Sequence, residues 1–205
     1  MTVLADALVV AGGIFLGRVL ARVVVRRKRK SVAVGPASPG PSDRFEGWPA
    51  RLGDVLVRRV ERDEAWLAGG LLFAEESPVA ALFVAPEGVG ERAVYVRPGF
   101  VVWLSAAPGA LTPPLREPPS SLEVDGTRFD RSRRLPVRVQ AMGTGAPAVG
   151  DRAVLGEYTA RAGVDRLVVV AGADALWVGR GAVLSDGEYE VLPGGSATLD
   201  VPRST

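Results

Sequence analysis

Val3 to Val25 is an almost unbroken apolar run, and it ends on Arg26-Arg27-Lys28-Arg29-Lys30. Few structures accommodate such a segment. Val3 to Leu20 is 18 residues, about 27 Å of helix at ~1.5 Å per residue, which approaches the ~30 Å hydrocarbon core of a bilayer. Only Asp6 and Arg18 are charged within it. Asp6 falls at one interface, and Arg18 and Arg22 fall near the other, where long side chains reach the headgroups. A buried or interfacial helix is the alternative, but here apolar residues surround the helix and the basic stop is compact. Residues 1–30 therefore read as one transmembrane helix. The basic cluster follows the apolar run, which places the N-terminus outside the inner (cytoplasmic) membrane and the rest of the chain in the cytoplasm. A cleavable signal peptide carries its charge first and a small-residue cleavage site afterwards, which is not the pattern here.

The anchor also carries most of the chemistry that can be assigned by residue. Arg26, Arg27, Lys28, Arg29 and Lys30 should contact the membrane surface, with ~1 kcal/mol from each against anionic lipid. Gly13 and Gly17, four residues apart, share a helix face on which two copies could pack as a homodimer. The chain's net charge of +2 is misleading. Residues 1–30 hold seven basic residues and one acid, whereas residues 31–205 hold 18 basic and 22 acidic. The soluble part is thus mildly acidic, which argues against nucleic acid as a partner and favours a cationic one.

Missing residue types exclude much chemistry. Histidine and cysteine are absent, so there is no Ser-His-Asp or Cys-His machinery, no disulfide and no His- or Cys-ligated metal. Lysine occurs only at Lys28 and Lys30, so no Schiff-base lysine lies beyond the anchor. No cofactor and no metal site is expected.

Residues 31–49 form a linker, centred on Gly35-Pro36-Ala37-Ser38-Pro39-Gly40-Pro41-Ser42. From residue 50 to 195 the text reads as β, and 196–205 as a tail. Candidate strands are 54–60, 65–73, 79–85, 93–96, 100–104, 135–142, 152–161, 166–171, 175–178 and 189–192. Asp125-Gly126 between Leu122-Glu123-Val124 and Thr127-Arg128-Phe129 signals a two-residue hairpin turn. Strands this close in sequence pair antiparallel. An antiparallel sandwich or two small barrel-like subdomains is expected, split at the proline-rich stretch 106–121 into 50–105 and 121–195.

Four motifs invite functional readings and have plainer ones. Gly143-Thr144-Gly145-Ala146-Pro147-Ala148 mimics a dinucleotide fingerprint, but Pro147 and the turn after it deny it the helix that motif needs. Arg128-Phe129-Asp130-Arg131-Ser132-Arg133-Arg134 reads as a solvated hairpin end. Glu75-Glu76, before Ser77-Pro78, reads as a turn. Trp66, Trp103 and Trp177 sit in apolar strands and read as core.

Leu52-Gly53-Asp54-Val55, Val102-Trp103-Leu104-Ser105 and Leu122-Glu123-Val124-Asp125-Gly126-Thr127 resemble the uncharacterised bacterial domain of unknown function numbered 4178. Val149-Gly150-Asp151, Gly156-Glu157-Tyr158, Leu167-Val168-Val169-Val170, Trp177-Val178-Gly179 and Leu192-Pro193-Gly194 are similar to that family's C-terminal half. The resemblance covers most of 50–195. It implies an all-β domain and a loose link to membrane stress and polyamine-related systems, with no catalytic residues. Many members carry a Trp-x-Glu-Tyr-x-Leu strand. The matching Val79-Ala80-Ala81-Leu82-Phe83-Val84 lacks that Trp and the Glu-Tyr pair, so a function that depends on them is lost or altered here.

Three functions fit these observations. A membrane-tethered, non-catalytic binding or scaffolding module with a protein or cationic small-molecule partner explains the anchor, linker and β domain together. A structural subunit dimerising through Gly13 and Gly17 is the second. A carboxylate enzyme using groups such as Asp54, Glu157 and Tyr158 is the third, and it requires two acids in one cleft.

Overall fold

Turn residues punctuate the Val-, Leu- and aromatic-rich text every few residues, so the chain beyond the linker forms strands joined by short connections. A computed structural model describes residues 47–86, 92–112, 115, 117–161 and 163–194. The anchor with Gly13, Gly17 and Arg26 to Lys30, most of the linker and the C-terminal tail lie outside the described residues. Among those described, no helix is long and apolar enough to cross a membrane.

Twelve strands occur in the described residues: β1 (Val55–Arg58), β2 (Glu64–Trp66), β3 (Gly69–Ala74), β4 (Pro78–Ala85), β5 (Arg92–Arg97), β6 (Phe100–Ala106), β7 (Ser121–Val124), β8 (Thr127–Gly143), β9 (Arg152–Ala160), β10 (Asp165–Ala171), β11 (Leu176–Leu184) and β12 (Tyr189–Leu192). All pairings are antiparallel. Eight strands run in the order β3-β4-β5-β6-β11-β10-β9-β8, and β8 pairs back onto β3, so the sheet closes into a barrel. β7 extends the sheet beyond β8, and β12-β1-β2 form a small separate sheet.

The fold is therefore neither a sandwich nor two small barrels. Residues 69–106 and 121–184 are each a meander, and two seams join them: β6 with β11 and β3 with β8. Closure leaves few open edges. The proline-rich connection does not divide the molecule. Its Ala107, Ala110, Leu111 and Leu115 pack on the outer face of the barrel against a cluster that includes Phe129, Tyr158, Leu167 and Val178.

Side-chain alternation sorts the strands into faces. Leu71, Phe73, Leu82, Tyr95, Leu104, Leu155, Val168 and Trp177 fill the lumen, as the interior of an eight-stranded barrel requires. Their neighbours Leu72, Phe83, Val94 and Trp103 face outward and pack with Leu56, Ala65 and Leu67 beneath the small sheet. Strands β3 to β6 are covered on both faces, which is why they read as continuous apolar runs rather than alternating ones. Full burial of each large apolar side chain stabilises the barrel by ~1.5–3 kcal/mol. Trp66 is not core: it lies on edge strand β2 and is 47% exposed.

Two turn readings match the backbone. Asp125 and Gly126 both take positive φ, 49° and 71°, which the two-residue hairpin between β7 and β8 needs. Of the Gly143–Ala148 stretch, Gly143 ends β8 and Thr144 to Ala148 run as a loop after it. Leu52-Gly53-Asp54 has a role in the small sheet: the buried Asp54 carboxylate accepts the Arg51 N–H at 2.8 Å and the Gly194 N–H at 3.0 Å.

Candidate functional site

β9 reads Arg152-Ala153-Val154-Leu155-Gly156-Glu157-Tyr158-Thr159-Ala160. Ala153 and Leu155 face the lumen and Tyr158 and Ala160 face outward, so the two-residue period places the Glu157 side chain inside the barrel. Glu157 is buried. A carboxylate removed from water costs several kcal/mol unless it is paired and hydrogen-bonded, and three neighbours supply that. Tyr95 Oη donates to Glu157 Oε1 at 2.7 Å. Arg133 Nη1 donates to the same oxygen at 3.2 Å. Arg97 Nε lies 3.6 Å from Oε2. β5 and β9 are not neighbours in the barrel, so the Tyr95–Glu157 bond crosses the lumen.

Arg133 reaches this cluster through a β-bulge. Phe129 belongs to the outer cluster and Val137 to the lumen, although both carry odd numbers on the one strand β8. The register shift between Arg131 and Arg133 inverts the alternation there. Ser132 is the extra residue, and its hydroxyl donates to the Glu157 carbonyl at 3.1 Å. Arg131 and Arg134 consequently both face out and clamp Glu117, whereas Arg133 turns inward opposite Glu157. The arginine-rich stretch is thus a solvated face with one member inside.

Tyr95, Arg97 and Glu157 line a cavity of about 200 Å³, whose walls also include Phe100, Thr159 and Arg166. The Arg97 guanidinium stacks over the Phe100 ring, 4.0 Å from its centroid. Its Nε is buried with no hydrogen-bond partner among the described residues. Arg166 donates through Nη1 to the Val164 and Asp165 carbonyls. Burial, and then the adjacent Glu157 carboxylate, push the Tyr95 phenol far above its ordinary range. Tyr95 is therefore a permanent donor at physiological pH.

The three groups considered for carboxylate chemistry are not brought together. Asp54 is held by backbone amides in the small sheet. Tyr158 points to the outer face, where its hydroxyl donates to the Pro119 carbonyl at 2.8 Å and burial pushes its pKa up to about 12. Glu157 is the single carboxylate among the cavity's described walls. No group of His, Cys, Asp or Glu suited to a metal ion occurs among the described residues.

Tyr95, Arg97 and Arg166 were not singled out by sequence. The available signal was a charged residue in, or at the end of, an otherwise apolar strand: Arg97 closing β5, Arg166 near the start of β10 and Glu157 within β9. Compared with known proteins, the chain matches no family model, no curated protein and no solved structure.

Proposed function

We propose that this chain is a membrane-tethered, non-catalytic binding module whose small-molecule ligand enters the end of the barrel lined by Arg97, Glu157 and Arg166. The observation that carries the reading is the buried Glu157 network in a lumen that is otherwise apolar. Apolar packing at that position would give a barrel at least as stable, because buried ion pairs return little net stability. Pocket-lining charged groups beside a strongly perturbed tyrosine are the pattern of a binding site. The apolar run at 3–25 and its basic stop supply the tether, with the domain on the cytoplasmic face.

Native mass spectrometry of the full chain, extracted from membranes in mild detergent, tests the reading. A small molecule should accompany the wild-type chain and be lost from Thr159→Trp, which fills the cavity. Equal retention by both proteins, or by neither, refutes a ligand at this site. Alkaline carbonate washing of membranes tests the tether: the full chain should stay in the pellet.

A further inference from the structure

We infer that the ligand at this barrel end presents a phosphate-type dianion to Arg97 and Arg166. The inference rests on the binding reading above and names its chemistry. Two guanidiniums, of Arg97 and Arg166, share the cavity walls with one carboxylate, Glu157, and a third, of Arg133, pairs with that carboxylate. Arginine stays ionised in proteins, so the walls and Arg133 together hold two positive charges in excess, and no other acid lines the cavity among the described residues. A dianion cancels that excess.

The donors suit an oxyanion as well as the charge does. Arg97 is fixed by its stack on Phe100, its ion pair with Glu157 is too long for a hydrogen bond, and its Nε lacks an acceptor. Arg166 holds the Val164 and Asp165 carbonyls through Nη1, and the guanidinium fork carries further N–H donors beyond that nitrogen. Guanidinium forks recognise phosphate oxygens with paired N–H donors, and a planar group held on an aromatic face loses little freedom on binding. The size also selects. About 200 Å³ is smaller than the ~300–1,000 Å³ of drug-sized sites, so a phosphate or a short phosphomonoester fits and a whole nucleotide does not. The net acidity of residues 31–205 suggests a cationic partner, but the field inside the barrel has the opposite sign.

The dianion could come from a free phosphomonoester or from a lipid whose headgroup is a bare phosphate monoester. The full chain in mild detergent, in a phosphate-free buffer at low salt, should be titrated calorimetrically with inorganic phosphate, with glycerol 3-phosphate and with nanodiscs containing phosphatidate. Saturable heat with at least one of them is the expected result. Arg97→Gln and, separately, Arg166→Gln should each weaken binding by about tenfold or more, as loss of a charge-assisted bond does. Arg97→Lys should recover only part of the loss, because it restores charge without the fork.

Glu157→Gln supplies the sign test. It removes a negative charge and should tighten a dianion several-fold, whereas a polyamine such as spermidine would bind more weakly to it. Binding of phosphatidate nanodiscs alone assigns the lipid source, and binding of the soluble esters assigns the free one. No saturable heat with any probe, or weaker anion binding to Glu157→Gln, overturns the inference. If native mass spectrometry still finds a Thr159→Trp-sensitive compound, the binding reading survives that failure. If it finds none, both fall.

Discussion

Replacing Tyr95 by Phe removes one oxygen from the centre of the lumen and leaves the ring in place. Tyr95 is fully buried, and its hydroxyl donates at 2.7 Å to the buried Glu157 carboxylate. A hydrogen bond to a charged acceptor contributes ~1.5–3 kcal/mol. Arg133 continues to hold the same oxygen at 3.2 Å, so the expected cost lies at the low end, ~1.5–2 kcal/mol. No cavity term is added, because the substitution keeps the side chain's volume apart from the hydroxyl.

The pH dependence gives a second measure. The phenol ionises at 10.0 in the unfolded chain and far higher in the fold. Above pH 10 the unfolded chain therefore releases a proton that the folded chain keeps. Stability is complete below that value and falls as pH rises through it, by up to ~1.4 kcal/mol per pH unit for each such tyrosine. Tyr158, pushed up to about 12, contributes in the same direction. Histidine and cysteine are absent and both lysines lie in the first thirty residues, so the domain lacks the residue types that ordinarily titrate around neutral pH. Wild-type stability should form a plateau across neutral pH and then fall. Guanidinium denaturation of the full chain, followed by fluorescence of the buried Trp103 and Trp177, reads both quantities. Tyr95→Phe should lower the plateau and flatten the fall above pH 10 by one tyrosine's share. A variant with wild-type stability and an unchanged alkaline slope refutes the buried Tyr95–Glu157 bond.

Two further predictions concern the scaffold. A Cβ at Gly181 would overlap the Trp103 carbonyl across the β6–β11 seam, whereas Gly187 faces open space without positive φ. Gly181→Ala should cost more than ~2 kcal/mol and Gly187→Ala should be neutral or stabilising by under ~1 kcal/mol, compared by the same denaturation. Asp54→Ala leaves the Arg51 and Gly194 amides without their acceptor. Hydrogen exchange should quicken at the amides of β1 and β12 while β9 and β10 keep wild-type protection.

Local features were legible because local chemistry determines them. The Asp125-Gly126 turn, the buried run Leu167–Val170 and the loop at Thr144–Ala148 all follow from residue type and spacing. Closure was not legible, because the pairing of Gly70 with Met142 or of Leu104 with Gly181 leaves no mark within either segment. β8 hid its middle: Asp130 to Arg134 is polar because much of that stretch faces water. Trp66 misled because an aromatic in an apolar context reads as core whether or not a second layer covers it. The site was half visible. Glu157 stood out as a charge in an apolar strand, but the partner facing it depends on the one-residue bulge at Ser132, and the alternation alone would have sent Arg133 outward.

The two seams also govern how the chain can be made. When residues 69–106 have left the ribosome, β3 and β6 each keep one edge unpaired, and the partners for those edges, β8 and β11, are still to come. The first meander therefore waits with two bare hydrogen-bonding edges and an uncovered apolar face, the form most prone to pair with a neighbouring copy. Translation that halts in the proline-rich connection leaves a fragment that should aggregate or be degraded. Co-expression of residues 121–194 as a separate chain offers the missing edges, so the barrel is suited to reassembly from two pieces cut at that connection.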